Sequence, residues 1–445
     1  MNNILAVIQS LINIRWHLTI LPIIIIHIVT LLSIFMLSIS SDQSAWAYPI
    51  IRDPNLKVEI VAEGITFPTS LAFLANDDIL VLEKNTGAVK RVINGIIQPN
   101  LLLDLDVANQ GERGALGIAT TKNNNGSTYV FLYYTESSTG NDVTDDIRVN
   151  YTLGNRLYRY EWLNNSLINP RLLLDLPSFP GPNHNGGTLE IGPDKNVYLS
   201  VGNLNDKEIV SFHTTAENIK IGKEPDGRSG ILRITQDGKP VLGDNFTMLG
   251  DKDPLGKYYA YGIRNSFGMD FDPITGKLWD SENGPSFGDE INLIEPGFNS
   301  GWLKIQGIWK PKGGQAGDAD LIPDDLINFD GNGKYSAPEF IWLHTVGPTE
   351  LEFLSSAKYG EQYENDMFVG DINNGNLYHF DLNKDRTDLY LREPLIDKIA
   401  HSPKELHKIV FGEGFGGITD IELGPDGLLY ILSTKYDKIF RVIPR

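Results

Sequence analysis

From residue 58 onward, one pattern recurs: short alternating apolar runs broken by Gly, Asp, Asn and Pro, which is typical of β-strands and turns. The pattern occurs six times, in units that begin at Phe67, Gly114, Gly186, Phe267, Thr349 and Gly417. A sheet of three or four strands cannot bury both of its faces alone, but sheets packed radially can. The sequence therefore predicts an all-β, six-bladed β-propeller, with a strand over residues 57–64 completing the last blade. A pair of β-sandwiches is the alternative.

The N-terminus has a different composition from the repeats. Residues 18–38 form an apolar run without a charge, long enough to span a bilayer, and Arg15 precedes it. Ala45-Trp46-Ala47 has the pattern of a signal-peptidase site. We expect residues 1–47 to be a signal peptide or a signal-anchor helix that could hold the protein to a membrane. In both cases residues 48–445, the propeller, are exported to the periplasm or the cell exterior.

Composition excludes several functions. The chain carries 57 Asp and Glu against 38 Lys and Arg, a formal net charge of -19, which repels the phosphate backbone of nucleic acids. The chain has no cysteine, so disulfides, thiolate nucleophiles and iron–sulfur clusters are excluded. Acidic loops remain compatible with Ca²⁺, whose ligands are oxygens.

Four segments resemble the glucose/sorbosone dehydrogenase family. They are residues 111–117 (GERGALG), 183–187 (NHNGG), 261–268 (YGIRNSFG) and 281–285 (SENGP). The resemblance implies a six-bladed propeller enzyme that oxidises the anomeric hydroxyl of an aldose to a lactone. It also implies hydride transfer to pyrroloquinoline quinone (PQQ), which is held by Ca²⁺ at the mouth of the channel. The expected partners are a small sugar substrate and an external electron acceptor.

The resemblance also assigns roles to individual residues. His184 matches the general base, and an imidazole is suited to take a hydroxyl proton at neutral pH. Arg264 and Asn265 match residues that hold the quinone, where a guanidinium can stabilise a reduced quinone oxygen. Glu112 lies where the family has Gln or Glu near the cofactor.

Metal and aromatic positions complete the expected site. The carbonyls of Gly284 and Pro285 match ligands of the Ca²⁺ beside the quinone, and Glu290 matches a side-chain ligand of a nearby calcium. Trp342 is a candidate aromatic cover for the cofactor.

At three positions that are usually basic in the family, this sequence has an uncharged residue. Asn373 lies where the family has Lys, and Gly417 and Thr419 lie in the region of two family Arg residues. PQQ carries three carboxylates, so other cations must replace these three or the quinone binds weakly. The sequence offers Lys310, Lys312, Lys404 and Lys408. Two other functions stay open: a non-catalytic propeller that binds glycan or protein, and a Ca²⁺-dependent lactonase-type propeller.

Overall fold

Strands make up most of the chain. The computed structural model describes residues 48–123, 125–144, 152–204, 212–242, 249–312, 315–317 and 325–445. Pro49–Arg445 form one unit. The predictions for residues 1–47, including the apolar run 18–38 and the cleavage pattern at Ala45-Trp46-Ala47, lie outside the described residues. In the described part of the chain, no helix combines the length and apolarity needed to cross a bilayer.

The first half of the strands follows the repeats along the chain. Two strands, β1 (Ile50–Ile51) and β2 (Leu56–Glu63), precede the first repeat. The first sheet contains β3 (Pro68–Ala75), β4 (Asp78–Glu83), β5 (Ala88–Ile93), β6 (Ile96–Ile97) and β7 (Leu103–Asp104). The second contains β8 (Ala115–Lys122), β9 (Thr128–Ser137), β10 (Thr152–Leu163) and β11 (Ser166–Leu176). The third begins with β12 (Leu189–Ile191), β13 (Val197–Val201), β14 (Gly230–Ile234) and β15 (Tyr258–Tyr261).

In the second half, short strands alternate with the repeats and pair with sheets formed earlier in the chain. The fourth sheet begins with β16 (Ser266–Phe271), β17 (Leu278–Glu282) and β18 (Asp289–Ile294). Next come β19 (Phe298–Asn299), the hairpin β20 (Pro311–Lys312) and β21 (Gln315–Ala316), β22 (Lys334–Tyr335) and β23 (Phe340–Trp342). The fifth sheet contains β24 (Pro348–Phe353), β25 (Met367–Asp371) and β26 (Leu377–Phe380). The chain ends with β27 (Ile399–Ala400), β28 (Val410–Glu413), β29 (Ile418–Leu423), β30 (Leu429–Ser433) and β31 (Lys438–Pro444).

Helical structure among the described residues is limited to short turns. One α-helical turn, α1 (Pro403–Leu406), precedes β28. Single 3₁₀ turns are formed by Thr215–Glu217, Leu255–Lys257, Phe329–Gly331 and Ala357–Tyr359.

Strand pairing gives six sheets of four or more strands. Strands β19 and β22 extend the third sheet, β23 and β27 extend the fourth, and β28 and β1 extend the fifth. The sixth sheet has the order β29-β30-β31-β2, so the N-terminal strand pairs with the C-terminal one, as predicted. The first strands, β3, β8, β12, β16, β24 and β29, each contact the next, and β29 contacts β3. This arrangement confirms the predicted all-β propeller.

Recurring aspartates explain why the turns of the repeats form locally. The side chains of Asp194, Asp272 and Asp426 accept hydrogen bonds from the backbone N–H two residues on, at 3.0, 3.0 and 3.1 Å. An Asp that bonds its own turn in this way stabilises the reversal between two strands. The same interaction therefore repeats in the third, fourth and sixth sheets.

The hydrophobic core lies between neighbouring sheets. In one cluster Ile431 of the sixth sheet packs with Val81 of the first and Phe368 of the fifth. In another, Trp279 and Trp342 of the fourth sheet pack with Tyr378 of the fifth. The turns of the sheets are polar, whereas the faces between sheets are apolar. Burial of these apolar faces holds each sheet to its neighbours.

Gly117 in β8 is predicted to be essential for the close approach of the second and third sheets. A Cβ at this position would lie 1.9 Å from the carbonyl oxygen of Gly187, a backbone atom. We expect Gly117→Ala to lower the free energy of unfolding by about 1–3 kcal/mol, because the segment before β12 must shift. Urea unfolding measures this, with Lys122→Ala, at the exposed end of the same strand, as the control. A G117A variant as stable as the wild type would contradict the close approach.

Candidate functional site

One cavity lies inside the circle of first strands. It has a volume of about 280 Å³. Every first strand contributes to its wall: Thr69, Leu116, Glu190, Phe267, Thr349 and Thr419. Because residues from all six sheets surround it, this cavity is the axial channel of the propeller. The residues before the first strands, and those after the second strands, lie at its mouth.

His184 lies in the segment before β12. It is a non-glycine residue with a φ of 60°, a conformation that is uncommon and concentrated at functional sites. Its side chain is buried, and Nδ1 lies 2.6 Å from Oδ1 of Asn203. Asn203 Nδ2 donates to Oε1 of Glu217 at 3.4 Å, and Glu217 is also buried. Three polar side chains therefore form a line that ends on the imidazole.

Glu112 joins the predicted residues to one another. Its Oε2 accepts hydrogen bonds from the backbone N–H of His184 at 2.5 Å and from Nδ2 of Asn265 at 3.2 Å. Burial raises the pKa of Glu112, while these two hydrogen bonds and the charges of Arg264 and Lys84 oppose the rise. Glu112 itself lines the axial cavity. His184 and Asn265 are therefore held beside the cavity by one carboxylate.

Arg264 and Asn265 follow β15 and precede β16. Arg264 donates from a terminal guanidinium nitrogen to the carbonyl of Asn283 at 2.6 Å, and its guanidinium lies 5.5 Å from the ring centre of Trp302. Burial lowers the pKa of Arg264 to about 10, so it stays charged at neutral pH. Arg264 Nε and Asn265 Oδ1 are buried and have no hydrogen-bond partner among the described residues. Both atoms are thus unsatisfied within the described part of the chain, and neither residue lines the axial cavity itself.

Gly284 and Pro285 lie in the turn between β17 and β18. The N–H of Gly284 donates to Oδ1 of Asp289 at 2.8 Å, and Oδ2 of Asp289 accepts from the N–H groups of Val346 and Gly347. Burial raises the pKa of Asp289 to about 6. The turn is tied to Arg264 through Asn283, the residue before Gly284. The predicted guanidinium and calcium-binding turn are thus joined at Asn283, which lines the cavity.

Glu290 is buried among polar groups and does not line the axial cavity. Its Oε1 accepts from Nε2 of Gln306 at 2.8 Å and from the N–H of Gly307. Its Oε2 lies 3.4 Å from the hydroxyl oxygen of Ser300, which donates to Glu282 at 2.7 Å. Burial raises the pKa of Glu290 well above its usual range. Two buried amide oxygens beside it, Asn292 Oδ1 and Gln306 Oε1, have no donor among the described residues.

Two further predicted residues lie in or next to the fourth and fifth sheets: Trp342 is in β23, and Asn373 follows Ile372, which lines the cavity after β25. Asn373 is exposed in the turn after β25, where its N–H donates to the carbonyl of Val346 at 3.3 Å. Trp342 is fully buried and packs against Phe340 and Tyr378, with ring centres 4.9 and 5.6 Å away. Of the predicted site residues only Glu112 lines the axial cavity; His184, Arg264, Asn265 and Trp342 do not.

Sequence reasoning did not identify several residues at the mouth. Lys84, Asn283, Ile372 and Thr434 line the cavity, and each is the first residue after the second strand of its sheet. This common position is a signal that the repeats contain. An alignment of the six units on their second strands would have matched the position of Lys84 to that of Asn283.

The fold and the site together define a β-propeller with a polar, charged site at the mouth of its axial channel. The glucose/sorbosone dehydrogenase family model matches residues 65–441. The chain is 25% identical over 427 residues to the aldose sugar dehydrogenase YliI of Escherichia coli, covering 93% of this chain and 99% of that protein. It is 29% identical over 298 residues to quinoprotein glucose dehydrogenase B of Acinetobacter calcoaceticus, covering 63% and 59%.

A solved structure has the same fold. The PQQ-bound form of an aldose sugar dehydrogenase from Streptomyces coelicolor matches with a TM-score of 0.60 at 23% identity, covering 88% of this chain and 98% of that one. The chain belongs to the glucose/sorbosone dehydrogenase family.

The bridging role of Glu112 predicts a stability difference between two substitutions. Glu112→Ala leaves the N–H of His184 and the amide of Asn265 without their acceptor, at about 1–3 kcal/mol for each buried donor. Glu112→Gln retains one acceptor oxygen and should lose less. Urea unfolding at pH 7 measures both, with exposed Glu361→Ala as the control. Equal stability of E112A and the wild type would show that Glu112 does not hold the two residues.

Proposed function

We propose that this protein is a PQQ- and Ca²⁺-dependent dehydrogenase that oxidises an aldose at the anomeric carbon to a lactone. The observation that carries the proposal is the junction at Glu112, which brings His184 and Asn265 together beside the cavity. Family membership and the names of the relatives support the same reaction class.

We also count the six sheets as six blades. The ring of contacts between first strands supports this count, because each sheet contributes one strand to the wall of the same cavity. The closing pair of β2 and β31 supports it as well, since the last sheet takes its outer strand from the N-terminus.

The donor set fits a quinone. Arg264 Nε is a buried donor without an acceptor, Asn265 Oδ1 is a buried acceptor without a donor, and both adjoin the cavity wall at Asn283 and Glu112. Arg264 and Asn265 would hold the quinone, and the guanidinium would face its oxygens. When bound, PQQ supplies a redox centre that accepts the hydride from the anomeric carbon. The role of the chain is to bind the sugar and to accept the proton of its anomeric hydroxyl.

Oxygen ligands for calcium are present in two places. The carbonyls of Gly284 and Pro285 would bind the ion beside the quinone, in a turn that the hydrogen bond from Gly284 to Asp289 fixes. At Glu290, the donorless oxygens of Asn292 and Gln306 fit a hard cation, which prefers six to eight oxygens. A cation there would also offset the burial of the Glu290 carboxylate.

His184 is positioned to act as the base through its Nε2. A carboxylate only accepts hydrogen bonds, so Glu217 turns the Asn203 amide with its NH₂ toward Glu217 and its oxygen toward His184. An oxygen at Nδ1 requires that Nδ1 carry the proton. The lone pair then lies on Nε2, which takes the proton of the anomeric hydroxyl.

One alternative is favoured by a specific observation. Around the mouth, Ile372 and Thr419 line the cavity without charge, and Asn373 is exposed. A propeller without the cations expected there could bind glycan or a protein and carry out no redox chemistry. We also propose export of the chain, on the basis of residues 18–38 and the Ala45-Trp46-Ala47 pattern.

Reconstitution tests the proposed function. The purified protein is incubated with PQQ and Ca²⁺, and aldoses are offered with an artificial electron acceptor. We expect reduction of the acceptor, and a decrease of about 10²–10⁴-fold in kcat for His184→Asn with quinone binding retained. Exposed His401→Asn is the matched control. Absence of quinone binding in the presence of Ca²⁺ would favour the non-catalytic propeller.

The Glu217–Asn203 line predicts a tautomer effect that a merely structural role would not produce. In Glu217→Leu the Asn203 amide can reverse, and its NH₂ then favours a lone pair on Nδ1 of His184. We expect the ¹⁵N resonances of His184 to shift toward the Nε2–H tautomer and kcat to fall by about 10²-fold or less. Glu217→Gln, which keeps an acceptor, should restore part of both, and exposed Glu224→Leu should change neither. An unchanged tautomer in E217L would contradict the arrangement.

A further inference from the structure

Lys84 is a cation in the wall of the axial cavity. Only 7% of it is exposed, and it is the only Lys or Arg among the cavity-lining residues of the described chain. It follows β4 directly, and its backbone is fixed on both sides: its N–H donates to Phe67, and its carbonyl accepts from Ala115 at 3.0 Å. A Cβ on Gly114 would lie 2.8 Å from Lys84 Cγ, so the glycine leaves room for the lysine stem.

The ammonium group of Lys84 has only neutral partners. Nζ donates to Oδ1 of Asn85 at 2.9 Å and to the carbonyl of Asn109 at 3.2 Å, and it lies 5.4 Å from the ring centre of Phe67. Within 4.0 Å it meets no carboxylate of the described residues. An ammonium has three donor hydrogens, so one remains available.

Three other buried cations of this chain are neutralised. Arg159, Arg228 and Arg233 each contact an aspartate, at 2.8, 2.7 and 2.5 Å. A buried charge without a close counter-ion is unfavourable unless a ligand supplies one. Burial accordingly lowers the pKa of Lys84 to about 8, while the charge of Glu112 opposes the decrease. The group is still mostly protonated at pH 7.

The ring of Phe67 forms a flat apolar surface beside Lys84. It lines the cavity with 44% of its area exposed and has a φ of 49°, which is rare for a bulky residue. Its N–H donates to Oδ1 of Asp437 at 3.1 Å, so the sixth sheet holds this backbone in place. An exposed ring beside an ammonium suits a ligand that combines a flat or ring-shaped body with a carboxylate.

We propose that Lys84, beside Phe67, binds a carboxylate of the ligand in the axial cavity. This assignment rests on the proposed function, in which the ligand is a quinone with three carboxylates or a sugar, and it supplies a cation that Asn373, Gly417 and Thr419 do not. The lysines considered from the sequence do not take this role: Lys310, Lys312, Lys404 and Lys408 are exposed and do not line the cavity. The carboxylate belongs to the quinone or to an acidic sugar.

Binding to the full chain with Ca²⁺ tests the assignment without any turnover. PQQ and its neutral trimethyl ester are titrated calorimetrically into the wild type, Lys84→Met, Lys84→Arg and exposed Lys57→Met. We expect K84M to weaken PQQ binding by about 30-fold or more, to affect the ester far less, and K84R to restore part of the affinity. K57M should bind as the wild type does. Thermal unfolding of each variant reports whether the fold is kept.

A second arm identifies the source of the carboxylate. The quinone-loaded proteins are titrated with glucuronate and with glucose. If K84M weakens glucuronate binding selectively and leaves PQQ binding unchanged, the carboxylate is that of the sugar. Equal weakening of PQQ and its ester, or no change with PQQ and glucuronate, would overturn the assignment. Quinone binding that depends on Lys84 without turnover of any sugar would leave this assignment standing and refute the proposed reaction.

Discussion

The Glu112 carboxylate is the interaction on which the rest of the site depends. It accepts one hydrogen bond from the backbone of His184, before β12, and one from the side chain of Asn265, before β16. The segments that enter the third and fourth sheets are thereby held to the turn before β8, the first strand of the second sheet. Arg264 and Lys84 both favour the charged form of this carboxylate against the effect of burial. The position of the imidazole, the orientation of the Asn265 amide and the charge balance of the mouth therefore change together when Glu112 changes.

The fold could be predicted because its signals are local. Alternating apolar residues and the Asp-containing turns at Asp194, Asp272 and Asp426 repeat at matching places, and each forms its own hydrogen bonds. The pairing of β2 with β31 could also be predicted, since a ring leaves an unpaired edge unless a terminal strand fills it. Trp342 marks the limit of such reasoning. An aromatic in a strand has the same pattern whether it faces a channel or a neighbouring sheet, and all of Phe340–Trp342 is buried.

For the site, contiguous motifs identified His184, Arg264 and Asn265, and the structure brings these together. The residues that sequence reasoning missed act at a distance along the chain. Glu217 reaches His184 only through Asn203, and nothing in the spacing of these residues predicts that line. Lys84 lies about 100 residues before His184, in a segment without a recognisable motif. Its place follows from a geometry shared by four of the six sheets, in which the first residue after the second strand lines the cavity.

The axial cavity is lined by both a cation and several buried carboxyl groups. Glu190, Glu350 and Glu422 line the cavity, and burial, reinforced by neighbouring carboxylates, raises the pKa of each well above its usual range. A further negative charge beside them would be opposed by both effects. Lys84 also lines the cavity, and Arg264 contacts its wall at Asn283. Under the proposed function, an anionic ligand would therefore be favoured near Lys84 and disfavoured near these glutamates.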